Sequence, residues 1–245
     1  MKVFLSGLEA SGEFKEINKR IEKYKYILCS FYYLKTSIFE EILNKTELML
    51  IDSGAHSFQK GKKVDWVKYT KQYAEFIKKF DNPKIIGYFE MDVDNIIGYE
   101  KVLELRKILE KVSKKIIPVW HINRGIEEYK KMCKDYAGKI IAITGFKNED
   151  IKDEQYLMFL KYAKQHNCKV HCLGMTRKKV LDKVPFDYVD SSSWKQASIY
   201  GKIGNRKVSK KFSKANRHIV MTESLKLAIE MQEHYYKKWR NACKD

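Results

Sequence analysis

The chain has 245 residues, of which 49 are Lys or Arg and 31 are Asp or Glu, giving a formal net charge of +18. No apolar run approaches the roughly 20 residues that cross a bilayer, and the N-terminus has no long apolar secretion segment, which argues against a spanning or secreted protein. The charge exceeds what solubility requires and predicts a polyanionic partner, nucleic acid above all, with an acidic membrane surface as the competing explanation. We therefore expect a cytoplasmic protein that binds nucleic acid and no membrane.

The cysteines predict reduced thiols, because they are five in number and form no Cys-x-x-Cys pair. The nearest thing to a metal-binding cluster is the group His166, Cys168, His171 and Cys172. Alternation along a strand would place Cys168 and Cys172 on one face and His171 on the other. Buried cysteine usually packs as a small apolar residue, so we expect neither a metal nor another cofactor.

Short apolar runs alternate with amphipathic segments eight times along the chain. The predicted strands are residues 2–5, 26–30, 48–51, 85–89, 116–120, 140–143, 169–172 and 188–189. Helical periodicity falls between them, for example over residues 65–80 and 99–112. Strands that alternate with helices favour a parallel sheet, and eight such units predict one (βα)8 barrel domain over residues 1–245, close to the typical size of about 250 residues.

Polar, charged and glycine residues follow the predicted strands. In chain order they are Ser6-Gly7, Ser30-Phe31-Tyr32, Asp52-Ser53-Gly54, Glu90-Met91-Asp92, His121-Ile122-Asn123-Arg124, Thr144-Gly145-Phe146, Gly174-Met175-Thr176 and Asp190-Ser191. The opposite ends of the strands carry mostly lysine. A barrel enzyme builds its active site at the C-terminal rim, so this asymmetry indicates an enzyme.

Two of these strands end in Asp-Ser, at Asp52 and Asp190, and predict a site with two carboxylates. The alternative for either aspartate alone is a helix N-cap, since Asp and Ser are favoured there. Asp187 competes with Asp190 because both flank the same short strand. Strand alternation sends the two to opposite faces, which favours Asp190 as the reactive residue and places Asp187 toward the helices or at the start of the strand.

Residues 201–217 contain seven basic residues and no acidic one: Lys202, Arg206, Lys207, Lys210, Lys211, Lys214 and Arg217. We predict a loop near the catalytic rim that binds nucleic-acid phosphates, because the charge occurs together with Ser and Asn donors and with Phe212. A solvated surface loop is the alternative. The amphipathic segment 222–239, with Thr222 as its cap, predicts the closing helix of the barrel.

Six stretches carry a resemblance to a known family. They are Ile51 to Gln59 with its Asp-Ser-Gly start, Phe89-Glu90-Met91-Asp92, Val119-Trp120-His121, Ile143-Thr144-Gly145-Phe146, Cys172-Leu173-Gly174-Met175-Thr176, and Phe186-Asp187-Tyr188-Val189-Asp190-Ser191-Ser192. Together they resemble the motifs of the tRNA-guanine transglycosylase superfamily, a group of (βα)8 barrels. Asp190 stands at the family's nucleophile position, and Asp92 stands where the family reads the edge of guanine.

The resemblance implies base exchange at an N-glycosidic bond through a covalent aspartyl intermediate. It assigns Asp190 as nucleophile and Asp52 as general acid and base. Asp92 would accept the N1–H and 2-amino donors of guanine. The further substrate-binding residues would be Ser53, His121, Thr144, Gly145 and Gly174. A target base in a duplex must be flipped out, and Tyr32, Phe146 or Trp194 would stack against it.

The chain departs from the family in lacking its C-terminal zinc-binding pattern, in its short length, and in having His121 where the family has glutamine. Small zinc-free relatives of this kind are similar to phage-encoded deazapurine-in-DNA transglycosylases, which exchange guanine for a 7-deazaguanine. We therefore expect a DNA-modifying transferase that acts in the host cytoplasm if the chain is viral. The choice between DNA and tRNA stays open.

Two other classes of protein remain as alternatives. A barrel hydrolase acting on a nucleoside or glycoside would use the same carboxylates, but it would need no basic segment. A non-catalytic nucleic-acid-binding barrel would need the charge, but it would not need Asp52, Asp92 and Asp190 at one rim.

Overall fold

The computed structural model describes residues 1–58, 64–145, 151–204 and 206–243. These residues form an α/β protein around a nearly closed, barrel-shaped parallel sheet of nine strands. The strands are β1 (Lys2–Ser6), β2 (Tyr24–Ser30), β3 (Thr46–Asp52), β4 (Ile85–Phe89), β5 (Ile116–Ile117), β6 (Val119–Trp120), β7 (Ile140–Thr144), β8 (Lys169–Leu173) and β9 (Tyr188–Ser191). A separate antiparallel hairpin consists of β10 (Lys202–Ile203) and β11 (Arg206–Lys207).

Helices lie between and after the strands. They are α1 (Phe14–Arg20), α2 (Thr36–Lys45), α3 (Trp66–Phe80), α4 (Asp94–Ile97), α5 (Tyr99–Glu110), α6 (Ile126–Asp135), α7 (Tyr156–Gln165), α8 (Lys178–Leu181), α9 (Ser193–Ile199), α10 (Lys210–Ala215) and α11 (Arg217–Trp239). Short 3-10 turns occur at Phe31–Tyr33, Ala55–Phe58 and Ile122–Arg124. Within the described ranges, none of the helices is both long and apolar enough to pass through a bilayer.

The sheet begins and ends in one short segment of the chain. Its strand order is β5-β4-β3-β2-β1-β9-β8-β7-β6, and β5 and β6 are separated only by Pro118. All eight predicted runs lie in this sheet, and only residues 116–120 are divided. Because proline has no N–H to donate, the pairing changes there from β4 on one side to β7 on the other.

Alternation along the strands sorts side chains into two layers. Phe4, Leu50 and Phe89 belong to the cluster inside the barrel. Their neighbours Leu5 and Ile51 face the surrounding helices. The outward-facing residues therefore bury the apolar faces of the helices, and the inward-facing ones fill the barrel.

The C-terminal part differs from the predicted loop and helix. Residues 201–217 form the hairpin and α10, which begins after Ser209, whose hydroxyl accepts a hydrogen bond from the Phe212 amide at 3.2 Å. The predicted cap Thr222 lies inside α11, where its hydroxyl donates to the His218 carbonyl at 2.8 Å. The predictions of a loop and of a helix start at Thr222 were wrong, because α11 already begins at Arg217 and buries Val220 and Met221 before Thr222.

The turn after β3 requires glycine at position 54. Gly54 has φ +72°, and a Cβ there would lie 2.4 Å from Tyr32 Cβ and 2.8 Å from the Tyr32 amide nitrogen. The Gly54 N–H donates to Asp52 Oδ2 at 2.9 Å, so this turn also fixes the Asp52 carboxyl. The left-handed backbone and the close approach of Tyr32 both exclude a side chain.

We expect Gly54→Ala to lower the free energy of unfolding by roughly 2–5 kcal/mol, since a strained backbone and an overpacked contact add. Gly138→Ala is the matched control, because Gly138 has φ +76° but a Cβ added there would have no atom within 4 Å. It should cost only about 1–2 kcal/mol. Urea unfolding of both variants measures the difference, and equal losses would refute the steric argument.

Candidate active site

The C-terminal ends of β3, β4 and β9 bring Asp52, Asp92 and Asp190 to one rim of the sheet. Asp52 is paired in register with Ser30 on β2, and Asp190 with Phe4 on β1. The charges of both Asp92 and Asp190 raise the pKa of Asp52, after burial as the largest cause. The three predicted carboxylates therefore share one electrostatic environment, while their chemical roles stay predictions.

Asp190 is held through one of its two carboxylate oxygens. Oδ1 accepts from His171 Nε2 at 3.0 Å and from the Gly174 amide at 2.8 Å. Oδ2 accepts no hydrogen bond from the described residues, and the side chain is 15% exposed. Hydrogen bonds therefore hold Oδ1 in place and leave Oδ2 unoccupied by the described residues. Gly174, with φ +63°, takes the left-handed backbone conformation from which its amide reaches the carboxylate.

His171 fixes Asp190 from inside the barrel. Its ring is fully buried on β8, with the Phe89 ring centroid at 5.0 Å and that of Phe4 at 6.3 Å. An ionised carboxylate can only accept, so Nε2 carries a proton. His171 Nδ1 has no partner among the described residues. The sequence identified this histidine only as a metal candidate, although alternation correctly separated it from Cys172, which packs on the helix side.

Asp187 lies at the opposite rim. Both of its oxygens accept from Lys164 Nζ at 2.6 Å, and Oδ2 also accepts from the Val170 amide at 2.7 Å. Its own carbonyl accepts from the Lys2 amide at the start of β1. Asp187 is a buried structural carboxylate at the start of its strand, remote from Asp190.

The pKa of the Asp52 carboxyl is raised well above its ordinary value. Burial raises its pKa, the Gly54 N–H lowers it, and the charges of Asp92, Asp190 and Glu9 raise it further, to about 7. Protonated and ionised forms are then present in comparable amounts at neutral pH. A group in this condition suits proton transfer in either direction.

Asp92 is paired with His121 across the rim. The distance from His121 Nε2 to Asp92 Oδ1 is 2.6 Å, and Arg124 Nη2 lies 3.6 Å from the same oxygen. Burial opposes protonation of His121, but the Asp92 carboxylate outweighs it and raises the histidine pKa. Asp92 is 26% exposed. It therefore keeps acceptor capacity toward a ligand.

Below Asp92 lies a buried ion network. Glu90, which is fully buried, accepts from Arg106 Nε, from Arg124 Nη1 at 2.9 Å and from the Val119 amide at 2.8 Å. Arg124 also donates to Asp94 at 3.0 Å. Burial opposes ionisation of Asp94, and Arg124 nevertheless lowers its pKa. Strand periodicity gives no signal for this network, although Glu90 and Arg124 both follow predicted strands.

Asp92, Asp94 and His121 offer ligand atoms within 4.8 Å of one another, a spacing that a metal ion tolerates. The Arg124 guanidinium already donates to Asp94 and approaches Asp92. The Arg124 guanidinium therefore provides a positive charge next to the Asp92 and Asp94 carboxylates. The cluster is therefore an ion-pair network of two carboxylates, an imidazole and a guanidinium.

The other predicted substrate-binding residues lie at the same rim but differ in availability. Ser53 is buried, with its hydroxyl accepting from the Ala55 amide at 3.4 Å. Thr144 ends β7 and is partly exposed. The Gly145 amide donates to the Leu173 carbonyl at 2.7 Å, which a Cβ at Gly145 would also approach to 2.7 Å. The need for glycine at 145 thus comes from the neighbouring strand β8.

Of the three predicted stacking aromatics, Trp194 is excluded by its burial. It is 4% exposed, and its Nε1 donates to the Ser6 carbonyl at 3.1 Å. Tyr32 is partly exposed and packs edge-on against Phe58, at 4.6 Å between ring centroids. Phe146 lies outside the described residues, as does Gln59 of the first motif.

Glu9 is a fourth carboxyl at this rim, and sequence reasoning missed it. Its Oε1 accepts from the Ser30 amide at 2.9 Å, and its buried Oε2 has no partner among the described residues. Burial raises its pKa, against the lowering effects of backbone amides and Lys195. Lys195 Nζ donates to the Gly7 and Ala10 carbonyls at 3.1 Å. Neither residue follows an apolar strand pattern that would have revealed it.

The described part of the basic segment, residues 201–217, borders the same rim. Arg217 lies close enough to Lys195 to lower its pKa, in addition to the larger effect of burial. Lys202, Arg206, Lys207, Lys211, Lys214 and Arg217 are all exposed, and the side chain of Lys210 lies outside the described part. The predicted proximity of positive charge to Asp190 is therefore consistent with the fold, while phosphate binding stays a prediction.

No family model matches the chain, and a search of curated proteins gave no match. Its function is inferred from the chemistry of the rim.

We expect Asp187→Asn to lower the free energy of unfolding by roughly 1–3 kcal/mol, because a buried network loses its charge and one good acceptor. Asp190→Asn should change stability by less than about 1 kcal/mol, since an amide oxygen can keep both hydrogen bonds and one of several crowded negative charges is removed. Urea unfolding tests this contrast. The reverse order would place the structural carboxylate at Asp190.

The ionisation of Asp52 predicts a pH-dependent stability. The pKa of the folded state, about 7, lies above the ordinary value of 3.8, so the folded chain binds the proton more strongly. The destabilising effect of Asp52 is therefore absent below about pH 4, grows between pH 4 and 7, and is complete above pH 7.

Asp52→Asn should accordingly gain stability over the wild type as the pH rises from 4 to 8. The control is Asp65→Asn, at an exposed helix cap where asparagine can keep the hydrogen bond to the Lys68 amide. Its difference from the wild type should be nearly flat. Unfolding free energies at several pH values measure both, and parallel curves for Asp52→Asn and the wild type would disprove the raised pKa.

Proposed function

We propose that the protein is a nucleic-acid guanine transglycosylase, which exchanges guanine for a 7-deazaguanine base and acts on DNA in preference to tRNA. We also propose that its sheet is a (βα)8 barrel, in which residues 116–120 form one strand that pairs with both neighbours. The observation that carries the function is the Asp190 carboxylate, which is anchored through Oδ1 and open at Oδ2, beside a carboxyl with a pKa of about 7.

In the first step, Asp190 Oδ2 attacks C1′ of the target nucleotide. The bond from C1′ to the guanine nitrogen breaks, and its electron pair leaves with the base. The hydrogen bonds from His171 and Gly174 to Oδ1 orient the carboxylate without occupying the attacking oxygen. Protonated Asp52 donates its proton to the departing base, which leaves as neutral guanine.

The second step is the reverse with a different base. Ionised Asp52 removes the proton from the ring nitrogen of an incoming 7-deazaguanine, and that nitrogen attacks C1′. The ester bond to Asp190 breaks, and the carboxylate is regenerated. Because Asp52 alternates between acid and base, a pKa near neutrality serves both steps.

Asp92 and His121 fit the edge of a guanine. An ionised carboxylate accepts the N1–H and the 2-amino group together, and a protonated imidazole beside it balances the negative charge of the carboxylate. The 2.6 Å pairing of these two side chains places an acceptor next to a donor at the rim. Both guanine and 7-deazaguanine present this edge, so one subsite can hold either base.

The positive charge supports a nucleic-acid substrate over a free nucleoside. The basic segment lies at the same rim as Asp190, and its described basic side chains are exposed. A nucleoside hydrolase would have no use for this charge. The resemblance of the strand-end motifs to the transglycosylase superfamily supports the same reaction.

The test is trapping of the covalent intermediate. The wild type, incubated with a guanine-containing oligonucleotide, should form a denaturant-resistant adduct and should incorporate labelled guanine. Asp190→Asn should abolish both, because the amide cannot displace the base. Asp187→Asn should keep both at similar levels once folding is verified.

Parallel reactions with single-stranded DNA, duplex DNA and tRNA identify the polymer. Release of free guanine without incorporation of a new base would indicate a hydrolase. Adduct formation by Asp190→Asn, with loss in Asp187→Asn, would overturn the assignment of the nucleophile.

A further inference from the structure

We propose that Tyr200 and Phe212 form, with the lysines around them, a stacking platform for unpaired bases of a nucleic-acid strand. The platform would select a single-stranded substrate or a strand opened next to the target base. This inference deepens the function proposed above and depends on it for the identity of the reacting base. Strand binding itself is measurable without base exchange.

The two rings are exposed in a protein that buries most of its large aromatics. Tyr200 is 72% exposed and Phe212 is 44% exposed. By contrast, the rings of Tyr24, Tyr73, Tyr88, Tyr129 and Tyr156 are fully buried. A single exposed aromatic is ordinary. An exposed aromatic within a strongly basic segment and a second one directly before that segment form the combination that single-strand-binding surfaces use.

Backbone contacts hold the two rings in one neighbourhood. The Val208 amide donates to the Gly201 carbonyl at 2.8 Å, and a Cβ at Gly201 would lie 3.5 Å from Ser213. Tyr200 and Phe212 each directly precede one member of the pair formed by Gly201 and Ser213. The end of α9 and the first turn of α10 therefore lie next to each other, and each carries one exposed aromatic.

The platform is attached to α11. The Ser224 hydroxyl donates to the Lys202 carbonyl at 3.0 Å. A Cβ at Gly204 would lie 3.0 Å from the Leu227 side chain, so the hairpin turn packs directly on that helix. An anchored platform loses less entropy on binding than a free loop would.

The charges around the rings are uncompensated. Lys202, Lys207, Lys211 and Lys214 are exposed, and within the described residues none of them pairs with a carboxylate. Residues 201–217 contain no Asp or Glu. A merely solvated face mixes both signs, as α3 does with Lys78 and Glu75 and as α6 does with Lys130 and Glu127. The excess of positive charge fits a phosphate backbone.

The chemistry favours an unpaired strand over a duplex. In a duplex the faces of the bases are stacked on each other, so exposed protein rings find no partner. In a single strand each base offers a face to stack on, whatever its sequence. The short distance between the platform and Asp190 also suits this arrangement. The helix α9, which ends just before Tyr200, starts three residues after Asp190 and is only about 10 Å long at 1.5 Å per residue. A strand held here is a few nucleotides from the nucleophile.

The experiment compares binding of a labelled single strand and the matching duplex by fluorescence anisotropy at several salt concentrations. For Tyr200→Ala combined with Phe212→Ala, we expect the affinity for the single strand to fall by roughly tenfold or more, with little change for the duplex. The slope of log affinity against log salt should stay unchanged, because no charge is removed. Tyr200→Phe should bind like the wild type, since stacking does not need the hydroxyl.

Two controls separate the platform from general effects. Leu157→Ala combined with Met158→Ala removes exposed apolar side chains from α7, outside the basic segment, and should leave binding unchanged. Lys211→Gln combined with Lys214→Gln should lower the salt slope for the single strand by about 0.7 for each phosphate that is no longer neutralised.

The proposal is overturned if the aromatic variant binds the single strand like the wild type, or if it loses affinity for both forms equally. It is also overturned if the protein binds anionic phospholipid vesicles but no oligonucleotide. If the strand-binding pattern holds while no adduct forms, the transglycosylase proposal fails and the platform stands. If the adduct forms but the aromatic variant binds normally, the platform alone fails.

Discussion

The two ends of the nearly closed sheet, β5 and β6, are both held by a buried carboxylate, Glu90. Residues 116–120 pair with β4 through their first half and with β7 through their second half, and Pro118 lies between them. Where β4 has ended, the Glu90 side chain accepts the Val119 amide, and the Glu90 amide donates to the Ile117 carbonyl. A fully buried carboxylate is costly unless it is paired, so Arg106 and Arg124 are required in turn. The position of Glu90 at the two ends of the sheet therefore determines where the charged network lies.

The charged groups at the rim are of two kinds. Glu90, Asp94 and Arg124 neutralise one another and hold the backbone. Asp52, Asp190 and Glu9 lie close to one another with little positive charge between them, and Lys195 is the described cation that acts on Glu9. Burial and unbalanced negative charge both destabilise the ionised Asp52 carboxyl, and together they hold its pKa near neutrality. An arrangement that weakens the fold while tuning an acid is typical of a catalytic site.

A concentration of positive charge lies outside this group of carboxylates. The hairpin and α10 carry it on exposed side chains, anchored to α11 and close to the rim through Arg217 and Lys195. A polyanionic strand can then be attracted to the rim while the carboxylates that would repel it stay partly buried. In the proposed function, attraction of the strand and the chemistry would belong to adjacent but distinct surfaces.

The sequence by itself determined the α/β class, all eight runs of the parallel sheet, and the rim position of Asp52, Asp92 and Asp190, because strand alternation and strand ends are local patterns. It also separated Asp187 from Asp190 and kept His171 apart from Cys172. Tertiary structure alone decided the features that the local pattern does not contain. At the rim these are the hydrogen bond from His171 to Asp190, the ion network around Glu90, and the proximity of Glu9 to Asp52. Elsewhere they are the burial of Trp194 and the folding of the basic segment into a hairpin and a helix. These features depend on contacts between residues far apart in the chain and on the desolvation that those contacts produce, and neither is encoded in the periodicity of any single segment.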